Sequence, residues 1–192
     1  MMISGKRQGH SKNQLRIIGG QWRGRKLNFA DIDGLRPTPD RVRETLFNWL
    51  APTIVGSQCL DVFAGSGALG LEALSRGAKQ VDFIDTAPIA TRHIQSNLSL
   101  LDGNGHVHQA SAENWLTSCQ QRYDVIFLDP PFHKDLLPAC IELIAQRALI
   151  HDQGWIYLEM ADDEALPTTP SNWHLHRDNR AGKVRFYLFS VQ

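Results

Sequence analysis

From Cys59 onward the apolar positions fall into two alternating patterns. Short strand-like runs, CLDVF (59–63), VDFID (81–85), HVHQA (106–110), YDVIFLD (123–129) and GWIYLEM (154–160), are separated by longer segments with helical spacing. YDVIFLD is the kind of near-continuous apolar run found at the centre of a parallel sheet. The intervening segments predict helices over about 68–76, 88–101, 113–119 and 136–149, the first closed by Gly77. NWHLHRD and KVRFYLFS then predict a hairpin around 179–182. Strands alternating with helices, followed by an antiparallel end, make a doubly wound α/β sheet.

Before Cys59 the pattern is different. QLRIIGGQWRGRKLNF predicts two short strands around Gly19-Gly20, a two-residue hairpin signal. Arg16, Arg23, Arg25 and Lys26 take its outer positions, with Trp22 among them, open either to hairpin packing or to stacking on RNA. After the loop DIDGLRPTP a helix is expected, with Thr38 as N-cap, Pro39 at its first position and Asp40 in its first turn. Val42, Leu46, Trp49 and Leu50 form its apolar face. Residues 1–13 are polar and basic and are expected to be disordered. The division that follows is a tail (1–13), a hairpin extension (14–35) and one main domain (36–192).

Composition changes this picture at one point. The net charge of +0 over 192 residues hides an asymmetry: residues 1–50 hold ten Lys/Arg against four Asp/Glu. A basic N-terminal face suits a polyanion. The three cysteines lie far apart with no C-x-x-C, which reads as buried thiols rather than zinc or disulfide chemistry. The pairs His106/His108 and His174/His176 lack acidic or Cys partners at ligand spacing, so outward-facing strand positions are expected and no metal. Glu72 reads as a solvated charge. With no apolar signal core near the start and no membrane-length apolar run, the expected location is the cytoplasm. No long exposed apolar stripe calls for a dimer, so a monomer is expected.

Two motifs carry the chemistry. In DVFAGSGALG, Gly65, Gly67 and Gly70 satisfy G-x-G-x-x-G, and Asp85 follows Gly65 by 20 positions. Taken literally this is a dinucleotide fingerprint. Asp61 points elsewhere: a carboxylate at that strand end repels a pyrophosphate and attracts an ammonium group, which S-adenosylmethionine carries. Asp85 suits the ribose hydroxyls of either cofactor. Ser111 and Ala112, beyond the third strand, fall where an adenine edge is met in such a topology. The second motif is Asp129-Pro130-Pro131-Phe132. Asp129 and the Pro130 carbonyl can both accept from one exocyclic amine, and Phe132 can stack a base. Accepting both N–H hydrogens favours the pyramidal, nucleophilic amine. A target base inside a helix would have to be flipped out. This motif serves a guanine N2 and an adenine N6 equally.

RIIGGQWRGRKL, LRPTPDRVRETLFNWL, LDVFAGSGALGLEALSRGA and FLDPPF together resemble the bacterial 16S rRNA guanine-N2 methyltransferases acting at guanine 966. These lie within the class I S-adenosylmethionine-dependent methyltransferases. The resemblance runs from about residue 15 to the C-terminus, and its first two segments are its narrowest. It implies a Rossmann-like, mostly parallel seven-stranded sheet with helices on both faces and a basic hairpin ahead of it. It implies that Asp61 and the backbone at Ala64, Gly65 and Gly67 hold the methionine part of the cofactor, Asp85 the ribose, and Ser111 with Ala112 the adenine. Arg36 and Thr38 would stand near the methionine carboxylate, and Asp129 to Phe132 would grip the guanine. The implied partner is 16S rRNA within an assembling small ribosomal subunit. Two positions depart from the family pattern: Asp85 stands where Glu is usual, and Ser111 where Asp or Asn is. An adenine-N6 methyltransferase and a catalytically silent rRNA-binding assembly factor are the alternatives.

Overall fold

A computed structural model describes residues 13–192. The expected N-terminal tail lies, Asn13 apart, outside the described residues. A small antiparallel pair joins β1 (Gln14–Arg16) to β2 (Lys26–Asn28). The main sheet holds β3 (Gln58–Asp61), β4 (Gln80–Asp85), β5 (Gly105–Gln109), β6 (Tyr123–Leu128), β7 (Ile150–Ala161), β8 (Trp173–Ala181) and β9 (Val184–Val191). Their order is β5-β4-β3-β6-β7-β9-β8. Neighbours from β5 to β7 are parallel, and β9 and β8 close the sheet as an antiparallel hairpin. The expected doubly wound sheet with its antiparallel end is the one that forms. The chain turns back between β3 and β6, where open α/β sheets present a ligand crevice.

The helices are α1 (Asp40–Trp49), α2 (Ala68–Ser75), α3 (Pro88–Leu101), α4 (Ala112–Ser118) and α5 (Leu137–Gln146). Alternate residues of each central strand face opposite layers. Phe83, Val125, Phe127 and Tyr157 share one core with α1, α2 and α3. Ile84, Ile126, Leu128 and Ile156 share the other with α4 and α5. Two buried faces explain why YDVIFLD reads as an unbroken apolar run.

The N-terminal segment and the helices it meets depart from their sequence reading in three places. Gly19-Gly20 does not make the hairpin turn. Residues 17–25 connect the two strands, closed by Gly24 N–H to the Ile17 carbonyl at 2.8 Å and Ile17 N–H to the Arg25 carbonyl at 2.9 Å. The glycines instead bring the backbone against the end of α2: a Cβ on Gly20 (φ +76°) would lie 1.8 Å from the Ser75 carbonyl oxygen. A Gly-Gly pair has two uses, and the local pattern does not distinguish them.

Glu72 is the second departure. It is 0% exposed rather than solvated. Its carboxylate accepts from Ile18 N–H at 2.9 Å, Gly19 N–H at 2.8 Å, Arg43 at 3.3 Å and Arg76 Nε at 2.8 Å. One acid thus pins the extension to α1 and α2. Third, α1 starts after Pro39 as N-cap, with no side-chain cap. The Thr38 hydroxyl is used elsewhere, as described next.

Candidate active site

Four adjacent parallel strands each carry an acid at or near the carboxyl end: Asp85 on β4, Asp61 on β3, Asp129 just after β6 and Glu159 on β7. The register places all four on one face. Asp61 is level with Phe83 and Phe127, and Phe127 with Tyr157. Asp85, Asp129 and Glu159 each follow one of these aromatics by two residues and so share its side.

Asp61 is 1% exposed and its Oδ2 accepts from Gly70 N–H at 3.0 Å. Burial pushes its carboxyl up to about 7; the Gly70 N–H opposes this and the charges of Asp129 and Asp85 add to it. The loop above it bends through Gly65 (φ +52°) and Gly67 (φ +79°), and Ala64 N–H is tied to the Ile84 carbonyl at 2.9 Å. Leu35 roofs the loop, since a Cβ on Gly65 would meet its Cδ1 at 2.8 Å. Asp85 anchors the same loop, taking Gly65 N–H on Oδ2 and Ala87 N–H on Oδ1, both at 2.8 Å. Each of its oxygens keeps a lone pair for a further donor. Ser111 caps α4 by accepting Asn114 N–H at 3.2 Å, with Ala112 as the first helical residue.

Asp129 receives the Thr38 hydroxyl at 2.9 Å. Thr38 is therefore neither a helix cap nor a free ligand for a cofactor carboxylate. Burial pushes the Asp129 carboxyl up to about 6, against the Thr38 hydrogen bond. Pro130 is buried, Pro131 exposed and Phe132 half-buried. The loop they begin is tied to the exit of β7 by Glu164, which accepts from His133 N–H and Ala161 N–H, both at 3.0 Å. Pro130, Pro131, Phe132, Leu136, Glu159 and Pro167 line the pocket between these two loops.

The basic positions divide. Arg16 is paired with Asp40 at 2.8 Å. Arg23, Arg25 and Lys26 are exposed and form no ion pair among the described residues, and Arg36 is exposed as well. Trp22 is 9% exposed within the core of the α1–α3 face, so its ring serves packing and not RNA stacking. His106 and His108 flank Asp82 at 3.2 and 3.8 Å, and the His108 ring packs tilted against Trp115 with ring centroids 4.0 Å apart. They are thus less simply outward-facing than the strand pattern implied. Among the described residues no group of three or more His, Cys, Asp or Glu could hold a metal ion. The sequence reading passed over Glu159, whose only signal was one acid inside an otherwise apolar strand.

The strand order, the glycine loop after β3 and the acid-Pro-Pro-aromatic loop after β6 define a class I methyltransferase fold. The chain belongs to the family described as Conserved hypothetical protein 95, whose profile matches residues 15–190. It is 49% identical over 186 residues to ribosomal RNA small subunit methyltransferase D of Escherichia coli (strain K12), spanning 96% of this chain and 94% of that protein. The solved structure of the putative methyltransferase yhhF from Escherichia coli matches with a TM-score of 0.86 at 48% identity, over 94% of this chain and 99% of that one. The T. thermophilus 16S rRNA N2 G1207 methyltransferase (RsmC), in complex with AdoMet and guanosine, matches with a TM-score of 0.69 at 19% identity. That match spans 94% of this chain and 50% of the other, and is a likeness of fold alone.

Proposed function

We propose that the protein transfers a methyl group from S-adenosylmethionine to the exocyclic N2 of guanine 966 in 16S rRNA of the small ribosomal subunit. The row of four acids carries this reading. A phosphate-bearing cofactor would meet repulsion along that edge, whereas an ammonium, ribose hydroxyls and a base amine are all donors. The rRNA substrate is supported by the 49% identical relative, named as a small-subunit rRNA methyltransferase.

The residues present fit S-adenosylmethionine. Asp61 offers a buried carboxylate to the ammonium, Asp85 accepts the ribose hydroxyls, and the backbone at Ala64, Gly65 and Gly67 permits close approach. Ser111 and Ala112 meet the adenine, the Ser111 hydroxyl keeping its O–H free to donate while its oxygen caps α4. Arg36 remains the candidate for the methionine carboxylate. When bound, the cofactor supplies an electrophilic methyl group. Asp129 and the Pro130 carbonyl hold the amine hydrogens, Thr38 fixes the Asp129 carboxylate, and Phe132 stacks the flipped base. With its carboxyl raised to about 6, Asp129 is suited to take the surplus amine proton. Arg23, Arg25 and Lys26, on the extension over residues 14–35, meet the RNA backbone. An assembling small subunit is the expected substrate, the protein acting as a cytoplasmic monomer.

Nucleoside analysis of 16S rRNA from cells with and without the protein tests this. Loss of one N2-methylguanosine is expected. Loss of an N6-methyladenosine would replace guanine by adenine, and an unchanged nucleoside profile would leave an assembly factor.

A further inference from the structure

Three of the four acids now have tasks, and Glu159 is left. It is 3% exposed. Leu158 pairs with Leu128 across β7 and β6, so Glu159 and Asp129 follow side by side, about 4.8 Å apart at Cα. The Tyr157 hydroxyl donates to Glu159 Oε2 at 2.7 Å. Among the described residues no donor reaches Oε1. The residue also lines the pocket begun by Pro130, Pro131 and Phe132. Burial, and then the neighbouring Asp129 charge, push its carboxyl well above the usual range. Both effects oppose ionisation, so the carboxylate form needs a further donor, and Oε1 is open to take one from the pocket.

We propose that Glu159 accepts the ring N1–H of the guanine whose amine Asp129 holds, and thereby selects guanine over adenine. This rests on the guanine-N2 reading above. The Watson–Crick edge of guanine presents N1–H and the N2 amine side by side, both as donors. Two acceptors on neighbouring strands match that pair. Adenine sets its N6 amine beside an N1 lone pair, which would face the carboxylate and be repelled. The D-P-P-F loop cannot make this distinction, and the residue beside it can. A buried acceptor left facing a lone pair rejects the wrong base strongly.

The probe is 2-aminopurine, which keeps the exocyclic 2-amine and carries a lone pair at N1. Small subunits reconstituted with 16S rRNA bearing guanine or 2-aminopurine at the target position would be methylated under single-turnover conditions. The unaltered protein should prefer guanine by about 100-fold or more. Glu159→Gln can turn either its C=O or its NH₂ towards N1, so the ratio should fall to within about 5-fold, mainly through slower guanine transfer. Tyr157→Phe, which frees the carboxylate to rotate, should give an intermediate ratio and decides the matter if the first variant fails to fold. S-adenosylmethionine affinity should not change in either variant. A full ratio retained by a folded Glu159→Gln, or by Tyr157→Phe where that variant must decide, overturns this inference alone. No turnover of guanine by the unaltered protein overturns it together with the guanine-N2 reading.

Discussion

Two glutamates are buried in this molecule with opposite surroundings. Glu72, 0% exposed, is ringed by two backbone N–H groups and two arginines. Glu159, 3% exposed, has one tyrosine hydroxyl. The first carboxylate satisfies groups that would otherwise be orphaned, so the fold depends on it. The second receives one donor from the fold and lies open to the pocket for another. Asp61, with one backbone N–H, belongs with Glu159. Counting donors thus separates acids that hold the chain together from acids held ready for something else.

Substitution can break that contrast. Glu72→Ala leaves Arg43, itself 1% exposed, buried beside two unpaired N–H groups, and should lower stability by about 3–5 kcal/mol, about 10 °C in a thermal melt. An unchanged melt would end the contrast. Asp129→Ala should keep cofactor binding by calorimetry yet slow methyl transfer by about 10³-fold. Asp61→Asn should weaken S-adenosylmethionine binding by about 100-fold while stabilising the unliganded protein.

The sign of that last effect follows from the carboxyl. Its folded value of about 7 lies above the ordinary 3.8, so folding takes up a proton between the two. The resulting stabilisation is complete below the lower value and is lost as pH rises through the upper one. At about pH 8 the unliganded Asn variant should therefore melt several degrees higher than the unaltered protein, and at about pH 5 the gain should shrink. Cofactor affinity in the unaltered protein should weaken by up to about tenfold per pH unit as pH falls below this pKa, because the ammonium needs the ionised acid. The smallest effect concerns exposed charges: changing both Arg23 and Arg25 to Ala should reduce the salt slope of RNA binding by about 2.

The sheet was legible because its central strands are short apolar runs separated by helical spacing, a local property. Asp85 and Asp129 were legible because each ends such a run, and Asp61 because it interrupts one just before the glycine loop. The roles of the two glutamates were not. Glu72 is buried by residues up to 54 positions away, and no window of local pattern contains them. Glu159 looked like an irregularity in GWIYLEM until strand register set it beside Asp129. Thr38 was misread for a related reason: its hydroxyl partner lies 91 positions on, so helix-start grammar claimed it first.

The clasp between the extension and α2 also bears on the order of events during synthesis. Ile18 and Gly19 leave the ribosome before the carboxylate that fixes them, which comes 54 and 53 residues later. At about 5–20 residues per second that is a delay of about 3–10 s. Throughout it the basic segment is unmoored beside nascent-chain and ribosomal surfaces. The extension is made before the helix that captures it, and that helix must form before the extension can be captured.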